Sequence, residues 1–280
     1  MQESAKKLDA LRKKCRVSYL LCAAGLLAAF VLMLLGQSKA GLAVLALMLL
    51  AWFLLYRTDV RNYTAVWREV YMNAIAGHCL EGLSYSYKAD AARLRLREYA
   101  LLPGGEKGWL ARSMITGRRK TLNALLCDLT MPLVKNKSVT MLSGGFLRFS
   151  ADAAGESGVV FRAQKKGRQP EKEPLSLHTD GLLPCPPPPG MPEDVQIYTP
   201  SGALDCTEDV AIGLKRLMKC APGAVLAELR GNSLTVQLPH RLFFAYPPSL
   251  KYPITPAMLE SIRFEELEQT AKLAEAALCG

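Results

Sequence analysis

The stretch that decides the fold is residues 17–56, which read VSYLLCAAGLLAAFVLMLLGQSKAGLAVLALMLLAWFLLY. Lys39 is its only charged residue, and it lies between an uncharged run of 20 residues at 17–36 and one of 17 residues at 40–56. A helix of 20 residues is about 30 Å long, which matches the apolar thickness of a bilayer. Because only three residues separate the two runs, the sequence predicts an antiparallel helical hairpin that crosses a membrane.

A signal peptide and a buried hairpin of a soluble protein are the two alternatives to a membrane hairpin. Ser38 and Ala40 form a weak small-x-small cleavage pattern, but cleavage there leaves the second apolar run attached to the chain. A buried hairpin needs more surrounding protein than a chain of 280 residues supplies. The membrane hairpin is therefore the favoured interpretation.

Basic residues are unevenly distributed around the two apolar runs, and this distribution predicts the orientation. Residues 1–16 carry six of them, the short loop carries Lys39 alone, and Arg57, Arg61 and Arg68 follow the second run. Because basic residues near membrane helices stay on the cytoplasmic side, both termini and the main domain are expected in the cytoplasm. The sequence thus predicts a multi-pass protein of the bacterial inner membrane, the cell membrane.

The net charge of the chain is +10, and its distribution argues against the nucleic-acid binding that such a charge first suggests. The whole excess lies before residue 121. This pattern favours contact with the anionic headgroups of a lipid bilayer, and no nucleic-acid partner is predicted. We predict that six basic residues contact the membrane surface, namely Arg16, Arg57, Arg61, Arg118, Arg119 and Lys120. For the last three, a solvated turn is the alternative.

The sequence predicts an α+β protein in which the transmembrane hairpin precedes a cytoplasmic mixed α/β domain with antiparallel strands. Its predicted parts are a basic N-terminus at 1–16, the hairpin at 17–56, an amphipathic connecting helix at 57–82, and the domain at 83–280 with a proline-rich loop at 165–194. Strands are predicted at 83–87, from 112 onward, and at 120–134, 139–142, 146–150, 159–164, 195–198, 225–230 and 233–238. Helices are predicted at 90–98, at 208–220 and from 255 to about 278.

Residue patterns that carry known chemistry are scarce in this chain. The three histidines and eight cysteines form no metal-ligand or redox spacing, and residues 104–108 lack the spacing of a phosphate loop. No catalytic residue, metal or cofactor is predicted, and the sequence favours a non-enzyme. We expect a membrane-anchored binding or interaction module with a protein partner that the sequence does not identify. A membrane-bound enzyme and a lipid-headgroup-binding protein are the alternatives, and homo-oligomerisation through the small residues at 23–29 is left open.

The order of these features resembles an uncharacterised bacterial membrane-protein family, that of domain of unknown function 3137. The resemblance rests on residues 71–87 with their GLSYS segment, on 115–117 with the strand that follows, on 143–146, on 195–198 and on 242–248. The family's acidic position after the first strand is matched only by Asp128, and its usual acidic position near Phe244 is Ala245. The resemblance implies two closely spaced membrane helices and a cytoplasmic α/β region. It implies no activity and no catalytic residue.

Overall fold

The computed structural model describes residues 2–89, 110–135, 138–152, 158–166, 179–239, 242–243 and 247–280. The chain divides into two compact units. Unit 1 consists of Met1–Ala74 and Ala245–Ile262, and unit 2 consists of Ile75–Phe244 and Arg263–Gly280. A short segment late in the sequence therefore belongs with the N-terminal helices.

The helices of unit 1 form the hairpin that hydropathy predicts. Helix α1 is Gln2–Leu34, and it is followed by α2 at Ser38–Ala51, a π-helical turn at Trp52–Tyr56 and α3 at Arg57–Ala76. The last three run on without a break, so the described part of the chain has two helices that are long and apolar enough to cross a membrane. Of the most apolar 18 residues in each of these helices, only 11% and 6% are buried.

The turn between α1 and α2 is closed by backbone hydrogen bonds. Gly36 adopts a left-handed conformation with φ of 79°. The Gln37 amide donates to the Leu32 carbonyl at 3.0 Å and the Gly36 amide to the Met33 carbonyl at 3.2 Å, which is the Schellman ending of a helix. Beyond the turn α1 and α2 lie close together, since a Cβ atom built on Gly41 would be 3.0 Å from the Ala29 carbonyl oxygen.

The predicted helix from 255 to about 278 is wrong, because the chain forms two helices there. Helix α5 is Pro256–Glu260 and belongs to unit 1, whereas α6 is Glu265–Leu278 and belongs to unit 2. Phe264 has an extended backbone, and three glutamates in the first turn of α6 favour a new helix start at that point. The apolar spacing continues across the break, which is why periodicity alone did not reveal it.

The described residues of unit 2 form one sheet of nine strands, and every strand pair in it is antiparallel. The order across the sheet is β1-β2-β3-β4-β9-β8-β5-β7-β6. Together with the helices this confirms the predicted α+β class. The strands are β1 Glu81–Ala89, β2 Leu110–Arg119, β3 Leu122–Lys135, β4 Ser138–Ala151, β5 Val159–Lys165, β6 Leu183–Cys185, β7 Val195–Thr199, β8 Val225–Arg230 and β9 Ser233–Pro239.

Two strands differ from the sequence prediction. The pieces expected at 139–142 and 146–150 form the single strand β4, because Gly144 lets the backbone approach β9 too closely for a side chain, with a built Cβ 2.8 Å from the Leu238 carbonyl oxygen. The predicted proline-rich loop at 165–194 contains the short strand β6, which pairs with β7. The predicted helix at 90–98 and the turn at 104–108 lie outside the described residues.

The two faces of the sheet have different compositions. Residues opposite one another in an antiparallel pair share a face, and one face is apolar across six strands. Helix α4, Glu208–Cys220, ends on this face, since Lys165 donates to the Met218 and Ala221 carbonyls at 2.8 and 2.7 Å. Helix α6 packs on β4 and β9. The apolar row runs through Leu126, Leu147, Val236, Ala227, Ala163 and Ile197.

Candidate functional site

Outside the apolar spans, unit 1 has a small hydrophobic core, which we name the α1–α3 core. It joins the first half of α1 to α3 and to the segment around α5. Thr255 caps α5 by accepting a hydrogen bond from the Met258 amide, and the Tyr63 hydroxyl donates to the Pro248 carbonyl at 3.3 Å. The buried members of the core are Ala5, Leu8, Cys15, Tyr63, Trp67, Ile254 and Leu259.

Arg12 is the charged residue that lies deepest in this region, and its guanidinium bonds to other residues of unit 1. It donates to Asp9 at 2.8 Å and to the Leu250 carbonyl at 2.7 Å, and it is 4% exposed. Asp9 also accepts a hydrogen bond from the Ile254 amide at 3.3 Å. Burial alone would raise the pKa of Asp9, but hydrogen bonds from Arg12, Lys13 and Ile254 outweigh it and lower the pKa. The pair therefore holds the 250–254 segment against α1 through backbone groups.

Asp59 forms a second bridge between α1 and α3. Its carboxylate accepts from the Ser18 hydroxyl at 2.7 Å and pairs with Lys14 at 2.8 Å. Burial would raise the pKa of Asp59, and the hydrogen bonds from Lys14 and Ser18 lower it below its ordinary value. Burial also raises the pKa of the Cys15 thiol to about 11, so this cysteine is an uncharged core residue.

Residues 1–16, which the sequence predicts as a basic N-terminus, instead form the first four turns of α1, starting at Gln2. Ala5, Leu8, Arg12 and Cys15 are buried at spacings of three and four residues, which is one face of a helix. The signal was present in the sequence, but an arginine stands at one of the four positions and basic residues surround the rest. A stripe interrupted by a charge is readily mistaken for a polar segment.

Three of the predicted membrane-surface residues lie in unit 1. Arg16, Arg57 and Arg61, which we name the basic group, are all exposed. Close to them an aromatic cluster joins α1 to the π-helical turn, with Tyr19 and Tyr56 ring centroids 5.8 Å apart and Trp52 and Tyr56 4.4 Å apart. Exposed arginines beside tyrosine and tryptophan are typical of the border between a bilayer and water.

The other three predicted membrane-surface residues lie in unit 2, at the turn between β2 and β3. Arg119 and Lys120 both pair with Glu275 of α6, and Arg119 also donates to the Cys79 carbonyl at 3.0 Å. Burial would raise the pKa of Glu275, and the two basic partners lower it. Arg118 is exposed. The turn thus ties β2 to α6 through two of its basic residues and presents the third to solvent.

The sheet face opposite α4 carries a run of polar side chains that the sequence pattern does not reveal. Glu228 of β8 lies between Arg162 of β5 and Thr235 of β9 in the strand register, and Gln237 follows Thr235 on the same face. We name these four residues the polar row. All four are buried, with Glu228 and Thr235 each 1% exposed. The Arg162 guanidinium donates to Glu228 Oε2 at 2.5 Å.

Three oxygen atoms of the polar row have no hydrogen-bond partner among the described residues, namely Glu228 Oε1, Thr235 Oγ1 and Gln237 Oε1. Leaving a buried polar atom unbonded costs about 1–3 kcal/mol. Native proteins contain few such atoms, and three on neighbouring strands of one face call for a physical explanation. The polar row is therefore a group of buried polar side chains whose hydrogen-bonding capacity is only partly used among the described residues.

Among the residues that the structure describes, no group of three or more histidine, cysteine, aspartate or glutamate side chains is arranged to hold a metal ion. No protein-family model, curated protein or solved structure matches the chain.

Proposed function

We propose that the protein is a multi-pass protein of the bacterial inner membrane that serves as a membrane-anchored binding or interaction module. In this proposal the hairpin at 17–56 spans the bilayer, and both termini and unit 2 lie in the cytoplasm. The observation that carries the proposal is the exposure of the two apolar helices. Soluble proteins do not leave so large an apolar surface uncovered, and a bilayer covers it without further protein.

The orientation is supported by the position of the charges. Arg16, Arg57 and Arg61 are exposed where the apolar spans end, and the loop at the opposite end of the hairpin carries only Lys39. Each basic residue close to an anionic membrane surface contributes about 1 kcal/mol of attraction. The basic group therefore favours a leaflet that is rich in anionic headgroups, which is the cytoplasmic one.

The topology is tested by two fusions to the full chain. We expect green fluorescent protein fused after Gly280 to fluoresce, and alkaline phosphatase inserted after Gln37 to be active, because one reporter works in the cytoplasm and the other outside it. The chain is also expected to stay in the membrane pellet after alkaline carbonate extraction. A dark C-terminal fusion with an inactive loop fusion, or release by carbonate, contradicts the proposal.

The lipid contact is tested by native mass spectrometry of the purified full chain with phosphatidylglycerol and phosphatidylethanolamine. We expect the triple variant Arg16→Gln, Arg57→Gln, Arg61→Gln to lose its preference for phosphatidylglycerol. A control that replaces three exposed basic residues of unit 2 by glutamine is expected to keep it, namely Lys166, Arg216 and Lys219. Equal loss in both variants would show that total charge, and not the basic group, attracts the lipid.

The protein partner is sought by crosslinking in native membranes followed by capture of the full chain. A truncation that lacks residues 1–56 is unsuitable as bait, because it removes Leu8, Arg12 and Cys15 from the α1–α3 core. Arg118→Gln is the better surface variant at the β2–β3 turn, since changes at Arg119 or Lys120 also break the contact with Glu275. Membership of the family of domain of unknown function 3137 stays a prediction.

A further inference from the structure

The segment between β6 and β7 contains an unbroken tract of prolines at 186–189. Proline fixes its own φ at about −65°, and a residue that precedes proline is held in the extended region of backbone conformation. Both restrictions apply to residues 186–188, and Cys185 also precedes a proline. The tract is therefore held in the polyproline II conformation, a left-handed helix with three residues per turn.

Burial along the tract follows this period of three. Cys185 is buried and Pro188, three residues later, is partly buried. Pro186, Pro187 and Pro189 are exposed, and we name these three residues the proline ridge. Residues three apart share a face of a polyproline II helix, so one face rests on the protein and the other two are open to solvent.

Hydrogen bonds hold the chain on both sides of the proline ridge. Before it, β6 pairs with β7. After it, the Met191 amide donates to the Pro188 carbonyl at 3.2 Å, and Gly190 has φ of 74°, the positive value that a type II turn requires at this position. Lys215 of α4 donates to the Pro189 carbonyl at 2.8 Å. The proline ridge is thus preorganised, and a molecule that binds it does not have to order the chain first.

The chemistry of the proline ridge indicates what kind of partner fits it. Proteins recognise a polyproline II segment with a groove lined by aromatic side chains. Residues 179–194 carry three acidic side chains, all exposed, and no basic one, namely Asp180, Glu193 and Asp194. Because complementary charges favour the correct partner, a basic border suits this groove, and an anionic lipid surface is disfavoured.

We propose that the proline ridge docks a second protein, through a groove on that partner that has an aromatic floor and a basic border. The exposed pyrrolidine rings pack on the aromatic floor, and the basic border meets the acidic side chains on either side of the ridge. The proposal rests on the function proposed above, because it names the class of partner that the interaction module binds.

Photocrosslinking of the full chain in native membranes tests the proposal. The photoreactive amino acid p-benzoylphenylalanine is introduced at Leu183, which precedes the ridge and is 54% exposed, and in a second sample at Arg118 as a control. We expect position 183 to crosslink a different protein, next to its aromatic residues in the mass spectrum of the product. A decaproline peptide should lower the yield about tenfold, because it competes for the same groove, and a decaglycine peptide should not.

The other outcomes separate this proposal from the function on which it rests. A crosslink from position 183 to a second copy of the chain or to lipid overturns the proposal, and so does a yield that decaproline leaves unchanged. A partner captured from position 118 but not from 183 overturns the ridge and supports an interaction module. If crosslinking over the whole protein surface also finds no partner, the module itself is contradicted.

Variants assign the binding to the proline ridge. Pro186→Ala combined with Pro187→Ala removes a ring from each exposed face and is expected to weaken capture of the partner by about tenfold. Pro192→Ala combined with Pro200→Ala removes two prolines outside the tract and is expected to keep capture. Both variants should melt at similar temperatures, since such changes act largely through the unfolded chain. Equal capture by the two variants overturns the proposal.

A charge reversal tests the basic border without changing the tract. Asp180→Lys combined with Glu193→Lys alters two exposed side chains, so the fold should be kept. We expect this variant to capture the partner several times more weakly at low salt, and the difference from the wild type to shrink as salt is raised. Capture equal to that of the wild type at every salt concentration overturns the proposed groove.

Discussion

Two of the places where the protein buries ionic groups differ in how those groups are hydrogen-bonded. In the α1–α3 core, Arg12 bonds to Asp9 and to a backbone carbonyl, and Asp59 bonds to both Lys14 and Ser18. In the polar row, Arg162 bonds to one oxygen of Glu228, and the other oxygen has no partner among the described residues. The first arrangement uses its hydrogen-bonding capacity within the chain, whereas the second leaves part of it unused.

This difference separates groups that hold the fold together from groups whose hydrogen-bonding capacity is partly unused. A charge that is bonded to backbone groups from a distant part of the sequence fixes the fold, since its loss leaves those groups unbonded. Polar atoms that are buried and unbonded lower the stability of the folded protein. Substitutions in the two places should therefore have different signatures.

The largest effect is expected for Arg12→Met, which keeps most of the side-chain volume and removes the charge. It leaves the partly buried Asp9 without its buried partner and removes the donor to the Leu250 carbonyl. Because only the arginine is buried, losing the pair should cost about 3 kcal/mol of unfolding free energy, and losing the bond to the carbonyl should add about 1 kcal/mol. Denaturant unfolding of the full chain in micelles, followed through tryptophan fluorescence, measures it. Lys13→Met removes the other partner of Asp9, and at 70% exposure this lysine should contribute only about 0–1 kcal/mol.

The second-largest effect is expected in the polar row. There, one substitution should lower the unfolding free energy, and adding a second should raise it again. Glu228→Leu removes the carboxylate that pairs with Arg162, at a cost of about 3 kcal/mol. Adding Arg162→Met replaces the whole pair by apolar groups, which should restore the lost stability or exceed it. The unfolding free energies of the two variants test this. A double variant less stable than the single one would mean that the ion pair itself supports the sheet.

The sequence predicted those parts of the molecule that depend on local patterns. The hairpin follows from hydropathy, and α4 begins and ends where Thr207 and Pro222 predict, at Glu208 and Cys220. Apart from β6, the undivided β4 and the strand ends, the strands of the sheet follow from alternation and turn residues. These elements are specified by residues that are neighbours in sequence, so a single chain is enough to locate them.

The α1–α3 core and the polar row were missed for physical reasons. Docking of residues 250–259 onto α1 depends on contacts more than 200 residues apart, such as Arg12 with the Leu250 carbonyl. In β9 the alternation of Leu234, Val236 and Leu238 with Thr235 and Gln237 is that of a strand with one face in water. Only the assembled sheet shows that the polar face is buried as well, so the polar row was not visible in the pattern.

Lowering the pH is expected to reduce the unfolding free energy gradually, through carboxylates whose pKa values are lowered by their hydrogen bonds and ion pairs. Asp9, Asp59 and Glu275 have pKa values lowered by folding, so their contribution is present above their ordinary pKa and is lost as pH falls through the lowered one. Unfolding free energy should be constant near neutrality and decline below about pH 4. Asp59→Asn should make that decline shallower. A decline that begins above pH 6 would implicate other groups.

The smallest effect is expected at the residue that precedes a helix, which is a threonine in both α4 of unit 2 and α5 of unit 1. Thr255 precedes α5 and its hydroxyl accepts from the Met258 amide at 3.3 Å, whereas Thr207 precedes α4 and makes no side-chain capping bond. Replacing a bonded cap by alanine costs about 1 kcal/mol. Thr255→Ala should therefore lower the unfolding free energy by that amount, and Thr207→Ala should change it by less than half as much. Because α5 supplies Leu259 to the α1–α3 core, equal effects would mean that this core does not depend on how its short helix begins.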